Sequence, residues 1–214
     1  MMTATVEHPE RPALAAAASV VLASASPVRA ALLRAAGIPI TVDAAAIDEA
    51  DVKASLLAAR AVPAAIAEAL AELKAQRVAR RHPGSLVIGA DQVLECVGIL
   101  FDKPSDLAAA RSQLMALCGR EHRLLSAVVL VRDGERVWHH VGRANLTVRD
   151  FSADFLDRYL RSAGDAALSS VGAYQLEGVG AQLFAAIDGD YFTILGLPLL
   201  PLLDILREQG ILPS

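Results

Sequence analysis

The chain has only two cysteines in 214 residues, Cys96 and Cys118, and neither stands in a CxxC spacing. That excludes a disulfide framework and a thiolate metal knuckle, and it fits a reducing cytoplasm. Long apolar runs are also lacking. Hydrophobic residues make up 54% of the chain, but much of that is alanine, which suits ordinary packed helices. The most apolar windows, 14–25 and 194–206, both fall short of the roughly 18 uninterrupted apolar residues a membrane span needs. Pro198, Pro201 and Asp204 interrupt the second. No excess of positive charge is present, since the formal net charge is −4. Extended DNA or RNA is therefore not an expected partner, although a local cationic cleft can still hold one small polyphosphate. The five histidines form no HxxxH or HExxH pattern, which removes support for a zinc site, and neither GxSxG nor GxxxxGK[ST] occurs.

Residues 1–18 place Glu7, Glu10 and Arg11 before a short alanine run. This is not the basic-then-apolar order of a secretory signal, and it reads as a flexible extension ahead of a single domain over 19–214. No repeat, low-complexity tract or linker divides the remainder. A short apolar strand over 19–23, a polar turn and a helix over 28–36 come first, then a strand over 38–42 and a helix over 64–81 with apolar residues at Ile66, Leu70, Leu73 and Val78. A short buried strand is expected over 85–89, with Asp91 just past its C-terminal end, and a hairpin around Gly98 follows. A helix over 106–117, long strands over 122–132 and 136–148 joined at Asp133-Gly134, a helix over 153–162, a strand over 181–187 and a helix over 199–209 complete the order. Such an order is α/β with a mixed sheet, bent into two lobes around a cleft.

Three stretches can carry chemistry. In Ser24-Ala25-Ser26-Pro27-Val28-Arg29 a strand delivers two hydroxyls, free amides and a guanidinium to a helix start, which suits phosphate; Ser26 equally reads as a plain N-cap. In Gly89-Ala90-Asp91-Gln92, followed by Asp102-Lys103-Pro104, a carboxylate beside a buried strand can hold a divalent cation or take a proton from water, and a nearby lysine can neutralise phosphate oxygens. Asp48-Glu49, expected in a loop, and Lys74, expected in a helix, are ordinary by themselves. In the glycine-rich stretch 170–180, Glu177 is a candidate to read a base edge.

Taken in order, these segments resemble the Maf family of nucleotide pyrophosphatases, whose chains open on a strand and an SxSPRR-like turn. The likeness runs from about Val21 to Leu206 and takes in Leu117-Cys118-Gly119-Arg120-Glu121-His122, similar to the family's LSGxxH segment, and the closing Gly196-Leu197-Pro198-Leu199. It implies a fold like the inosine-triphosphate pyrophosphatases, an elongated mixed sheet with flanking helices, and a homodimer. It also implies hydrolysis of a nucleoside triphosphate to monophosphate and diphosphate with Mg2+ or Mn2+. Carried over by position, Asp91 is the general base or metal-binding carboxylate and Glu49 its acidic partner. Ser24, Arg29, Lys74 and Lys103 hold the triphosphate, and Ser26, Val28, Gln92 and Glu177 complete the substrate site. Three positions depart from the usual pattern. Val28 replaces the first arginine of SPRR, Gln92 the threonine of GADT, and Glu177 a common glutamine. These departures resemble the branch acting on 7-methyl-GTP rather than the branch acting on dTTP and UTP. A nucleotide-binding regulator of septum formation, without catalysis, is the alternative of a different class.

Overall fold

The computed structural model describes residues 19–213, so the extension expected over 1–18 lies outside the described residues. Seven strands form one mixed sheet. β1 (Val20–Ala23), β2 (Ile40–Val42) and β3 (Leu86–Cys96) run parallel, with β1 central among the three. From β3 the sheet turns antiparallel through β5 (Glu121–Arg132), β6 (Glu135–Val148) and β7 (Phe184–Asp188), and the short β4 (Ile99–Phe101) folds back on the end of β3. β5 and β6 are joined where Asp133 and Gly134 take φ values of 50° and 84°, the paired left-handed turn that matches strand twist.

Helices cover both faces: α1 (Pro27–Ala35), α2 (Glu49–Ala58), α3 (Pro63–Ala79), α4 (Leu107–Leu117), α5 (Ala153–Ala163), the four-residue α6 (Tyr191–Ile194) and α7 (Leu199–Glu208). Side chains of β3 alternate between two cores, as a period of two requires. Leu86, Ile88 and Ala90 pack with Leu33 of α1 and Leu202 and Leu206 of α7, whereas Val87 and Val93 pack with Ile66, Leu70 and Val78 of α3. A third core joins Leu114 and Leu117 of α4 to Leu156 and Tyr159 of α5 and Leu124 and Leu146 of the long strands. Two lobes thus share a single sheet, with an open space between them.

That space exists because the sheet has a notch. Along one edge of β3, β1 pairs only as far as Gly89 and β4 begins only at Leu94, so 90–93 face no strand there. The other edge is backed by β5 continuously from Leu86 to Glu95. This backing explains a departure from the sequence expectation. The strand expected to end at Gly89 continues to Cys96, and Asp91 lies in mid-strand rather than at a strand end.

Two other expectations are corrected. The loop expected at Asp48-Glu49 is the start of α2, whose N-cap Asp48 accepts from the Asp51 backbone N at 3.1 Å. α2 has no fully buried residue, so no apolar stripe marks it in the sequence. The strand expected over 181–187 starts at Phe184, because 179–183 coil into a 3-10 turn.

α3 lies very close to β3. An added Cβ on Gly89 would stand 2.0 Å from the Ala71 carbonyl oxygen and 2.8 Å from the Ala75 Cβ. Only glycine on the strand and alanine on the helix allow this spacing. Gly89→Ala is expected to lower unfolding free energy by about 3 kcal/mol in chemical denaturation, the upper part of the usual overpacking range. A loss under about 1 kcal/mol would show that the helix yields without strain.

Candidate active site

A cleft of about 660 Å3 opens at the notch, within the range of small-molecule sites. Its floor is set by the α3–β3 approach. Lys74, on the α3 face that carries Ala71 and Ala75, extends to Asp91 on β3 with Nζ 2.6 Å from Oδ1. The same ammonium stands 2.8 Å from Glu49 Oε1 at the start of α2. Lys74 and Asp91 are buried, and the Glu49 side chain is half exposed.

The turn after β1 forms one wall. Ser26 caps α1 by accepting from Arg29 N at 3.4 Å, and Ser24 Oγ accepts from Ser26 N at 3.3 Å. Arg29 is buried beneath this turn. Its Nη1 donates to Ser24 Oγ at 3.1 Å and to Ala90 O at 2.9 Å, and its Nε donates to Gly196 O at 2.7 Å. The Ala90 carbonyl belongs to the stretch of β3 that the notch leaves without a strand partner, so the guanidinium substitutes for one. Burial lowers the Arg29 pKa, and the nearby Asp91 and Glu49 charges work against that shift. Arg29 is thus a structural tie between β1, β3 and the α6–α7 junction, with Nη2 remaining for a ligand.

Lys103, just after β4, is different. Among the described residues it makes no ion pair. Desolvation lowers its pKa, and the Arg29 and Lys74 charges lower it further against the opposing pull of Glu49 and Asp91. An unpaired cation beside two others is a place for an anion.

Gln92 points to the opposite face of β3 from Asp91. Its Nε2 donates to Ser126 Oγ at 2.9 Å, Ile194 O at 3.0 Å and Thr193 O at 3.2 Å, while Ser126 Oγ donates to Thr193 O at 2.7 Å. Thr193 O already accepts from Gly196 N at 3.0 Å, and the two side chains add to that bond, while Gln92 also meets the Ile194 carbonyl at the end of α6. The Gln92 amide nitrogen is therefore engaged with Ser126 and α6, and Oε1 is the atom this residue, expected to bind substrate, leaves for a ligand. Val28 is half-buried on α1, and Glu177 is exposed on the loop across the cleft. All ten residues singled out in the sequence, Ser24, Ser26, Val28, Arg29, Glu49, Lys74, Asp91, Gln92, Lys103 and Glu177, line this one cleft.

Sequence reasoning missed Lys53, Tyr174 and Gln175, which also line it. Lys53 stands one helical turn after Glu49, a spacing that means something only once α2 is known. Tyr174 lies within the glycine-rich stretch 170–180 but carries no signal of its own in the sequence. Its hydroxyl lies 2.6 Å from Nε2 of His122, which is fully buried, and its ring packs edge-on to Phe184 at 4.8 Å. The Tyr159 hydroxyl donates to Ala173 O at 2.9 Å, supporting the loop where Ala173 holds φ at 60°.

The site has a balanced charge: Arg29, Lys53, Lys74 and Lys103 face Glu49, Asp91, Asp102 and Glu177. No group of three or more His, Cys, Asp or Glu side chains converges on one point among the described residues. Two carboxylates do meet at the Lys74 ammonium. This donor set fits a hard cation of the Mg2+ type, which is held by one or two carboxylates with the remaining oxygens supplied by phosphates and water.

A mixed sheet notched to form a charge-balanced cleft, with a capped helix start on one wall and an unpaired lysine on another, defines an α/β protein built to hold one small anionic molecule. The chain belongs to the Maf family, since the family profile described as "Maf-like protein" matches residues 19–209. Over 189 residues it is 62% identical to a nucleoside triphosphate pyrophosphatase of Paramagnetospirillum magneticum, covering 88% of this chain and 97% of that one. It is 54% identical over 189 residues to a 7-methyl-GTP pyrophosphatase of Brucella abortus, with 88% and 95% covered. Among solved structures, a nucleoside-triphosphatase (dITP/XTP pyrophosphatase) of Mycobacterium abscessus aligns over 91% of this chain and 98% of its own, at 16% identity and a TM-score of 0.41.

His122 gives the structure a pH dependence. Burial pushes its pKa down from 6.5 to about 4, and among the described residues Nδ1 has no hydrogen-bond partner. Between these values the unfolded chain binds the proton and the folded chain does not. The stability from neutral His122 is therefore complete above pH 6.5 and is lost as the pH falls to about 4. Unfolding measured across this window is expected to show a fall of up to about 3 kcal/mol that His122→Gln lacks. Parallel curves for the two proteins would contradict it.

Proposed function

We propose that the cleft binds one nucleoside triphosphate and hydrolyses it between the α and β phosphates, giving the nucleoside monophosphate and diphosphate. The observation that carries this reading is the buried Asp91 carboxylate, fixed by Lys74 at the floor of a cleft in which Lys103 makes no ion pair among the described residues. Family membership and the pyrophosphatase names of the relatives support it.

The chemistry follows from the geometry. Water attacks the α phosphorus, a P–O bond forms, the bridging α–β bond breaks, and the diphosphate leaves with its negative charge. Asp91 has one oxygen held by Lys74 and the other available either to orient that water and accept its proton or, with Glu49, to hold a cation. Lys74 and Lys103 offset charge on the phosphate oxygens, and the Ser24 hydroxyl, which accepts from Arg29 and from Ser26 N, has its own proton free to donate. Arg29 holds this turn in place and offers Nη2.

A triphosphate near −4 entering a cleft of no net charge needs further neutralisation, which supports Mg2+ or Mn2+ held by Asp91 and Glu49. When bound, such an ion supplies Lewis-acid stabilisation of the phosphate charge. A homodimer acting in a reducing cytoplasm belongs to the same reading, and the free thiols of Cys96 and Cys118 suit that compartment.

For the base, 7-methylguanine is the reading the residues favour. The Glu177 carboxylate can accept from the N1 and N2 groups of guanine, and the positive charge of the methylated base favours an acidic neighbour. The apolar Val28 presents no cation against that charge. The Brucella abortus and Rhizobium meliloti relatives carry the name 7-methyl-GTP pyrophosphatase, which supports the same choice.

Diphosphate release should be measured with Mg2+ or Mn2+ on 7-methyl-GTP, GTP, UTP, dTTP and ITP. Highest kcat/KM on 7-methyl-GTP is expected, with Asp91→Asn lowering kcat at least about 100-fold. Glu177→Gln is expected to cut the preference for 7-methyl-GTP over UTP by about tenfold. Preference for UTP or dTTP would retain the reaction and refute the base assignment. No release from any nucleotide, with nucleotide binding intact, would make the protein a nucleotide-binding regulator instead.

A further inference from the structure

α2 is the least embedded helix along the cleft. It buries no residue completely, and only Val52 and Leu56 pack against the neighbouring core. Two ionic contacts from one side of the helix, a turn apart, tie it down instead: Glu49 to Lys74, and Lys53 to Asp102. The second contact joins α2 to the segment after β4. The Lys53 side chain is only 17% exposed, whereas the Asp102 side chain is 69% exposed. Asp102 directly precedes Lys103, and its backbone carbonyl accepts from Gln113 Nε2 of α4 at 2.8 Å. The segment carrying the unpaired lysine is therefore held from both sides, by α4 through its backbone and by α2 through a charge.

We propose that Lys53 is a positioning residue that acts through Asp102. Their ion pair closes α2 onto the 102–103 segment and keeps the Lys103 ammonium facing the triphosphate site. This rests on the nucleotide reading given above. It differs from the simpler idea that Lys53 itself contacts phosphate. In that case Asp102 only competes with the substrate for the lysine, and removing the carboxylate leaves binding unchanged or improves it. In the positioning role, loss of either partner frees the same segment.

The experiment compares Lys53→Met, Asp102→Asn, the double variant and Lys53→Arg in steady-state kinetics on the best substrate of the panel. The dissociation constant of the unreactive α,β-methylene analogue of GTP is measured alongside by calorimetry. Both positions line the cleft, and thermal melts check that each variant folds. Each single variant is expected to raise KM and the dissociation constant by about two- to fivefold, the range for a part-exposed ion pair, with kcat changed less. The double variant should be no worse than either single one, and Lys53→Arg should restore most of the loss. An effect of Lys53→Met without one from Asp102→Asn, additive losses, or no effect from either would each overturn the proposal. A wild-type protein that neither hydrolyses nor binds nucleotide would defeat the functional reading and this proposal together. Normal wild-type turnover with unaffected variants would defeat only the proposal.

Discussion

The site depends on the buried ion pair between Lys74 and Asp91, and the pair depends on a backbone contact. Taking an ammonium and a carboxylate out of water costs several kcal/mol each, and good geometry with further hydrogen bonds is needed to offset it. Here the geometry comes from α3 resting almost directly on β3 at Gly89, with Ala71 and Ala75 facing the strand. With the helix seated this close, the ammonium reaches Oδ1 at 2.6 Å and meets Glu49 at 2.8 Å. Such a pair is a poor source of stability and a good source of orientation. The rest of the cleft is arranged around that fixed carboxylate.

The second constraint is the gap along β3. A strand edge left open inside a protein usually exposes amides and carbonyls that need partners. The Ala90 carbonyl receives Arg29, and the carbonyls at the end of α6 receive Gln92 and Ser126. Arg29 and Gln92 belong to segments that the sequence marks as chemically interesting. Much of their hydrogen-bonding capacity is nonetheless structural. At the notch itself the Ala90 carbonyl is satisfied from the side by Arg29 rather than by a neighbouring strand.

Much of this was legible in the sequence. The strand, turn and helix at residues 20–35, the long hairpin around Asp133-Gly134 and the terminal helix follow from apolar periodicity, proline at a helix start and turn chemistry. The ten candidate residues come from six separate places in the chain, 24–29, 49, 74, 91–92, 103 and 177, and the fold gathers them into one cleft. What could not be read depends on long-range partners. α2 lacks an apolar stripe because its anchoring is ionic, β3 runs past Gly89 because β5 backs it, and the Gln92 amide turns away because Ser126 and the Thr193 and Ile194 carbonyls meet it from distant parts of the chain. Lys53 and Tyr174 gain meaning only from neighbours 49 and 52 residues away in sequence, Asp102 and His122.

The even count of charges lining the cleft has a consequence for traffic through it. A funnel of one sign draws oppositely charged molecules from a distance and makes their capture sensitive to salt. This cleft projects little net field, so a triphosphate is met at ordinary diffusive frequency and is sorted after contact rather than before. The same evenness gives free diphosphate, inorganic phosphate and nucleic-acid backbones little reason to linger at the entrance. In a cell crowded with polyanions, a neutral doorway keeps the site vacant for the few molecules that fit its interior.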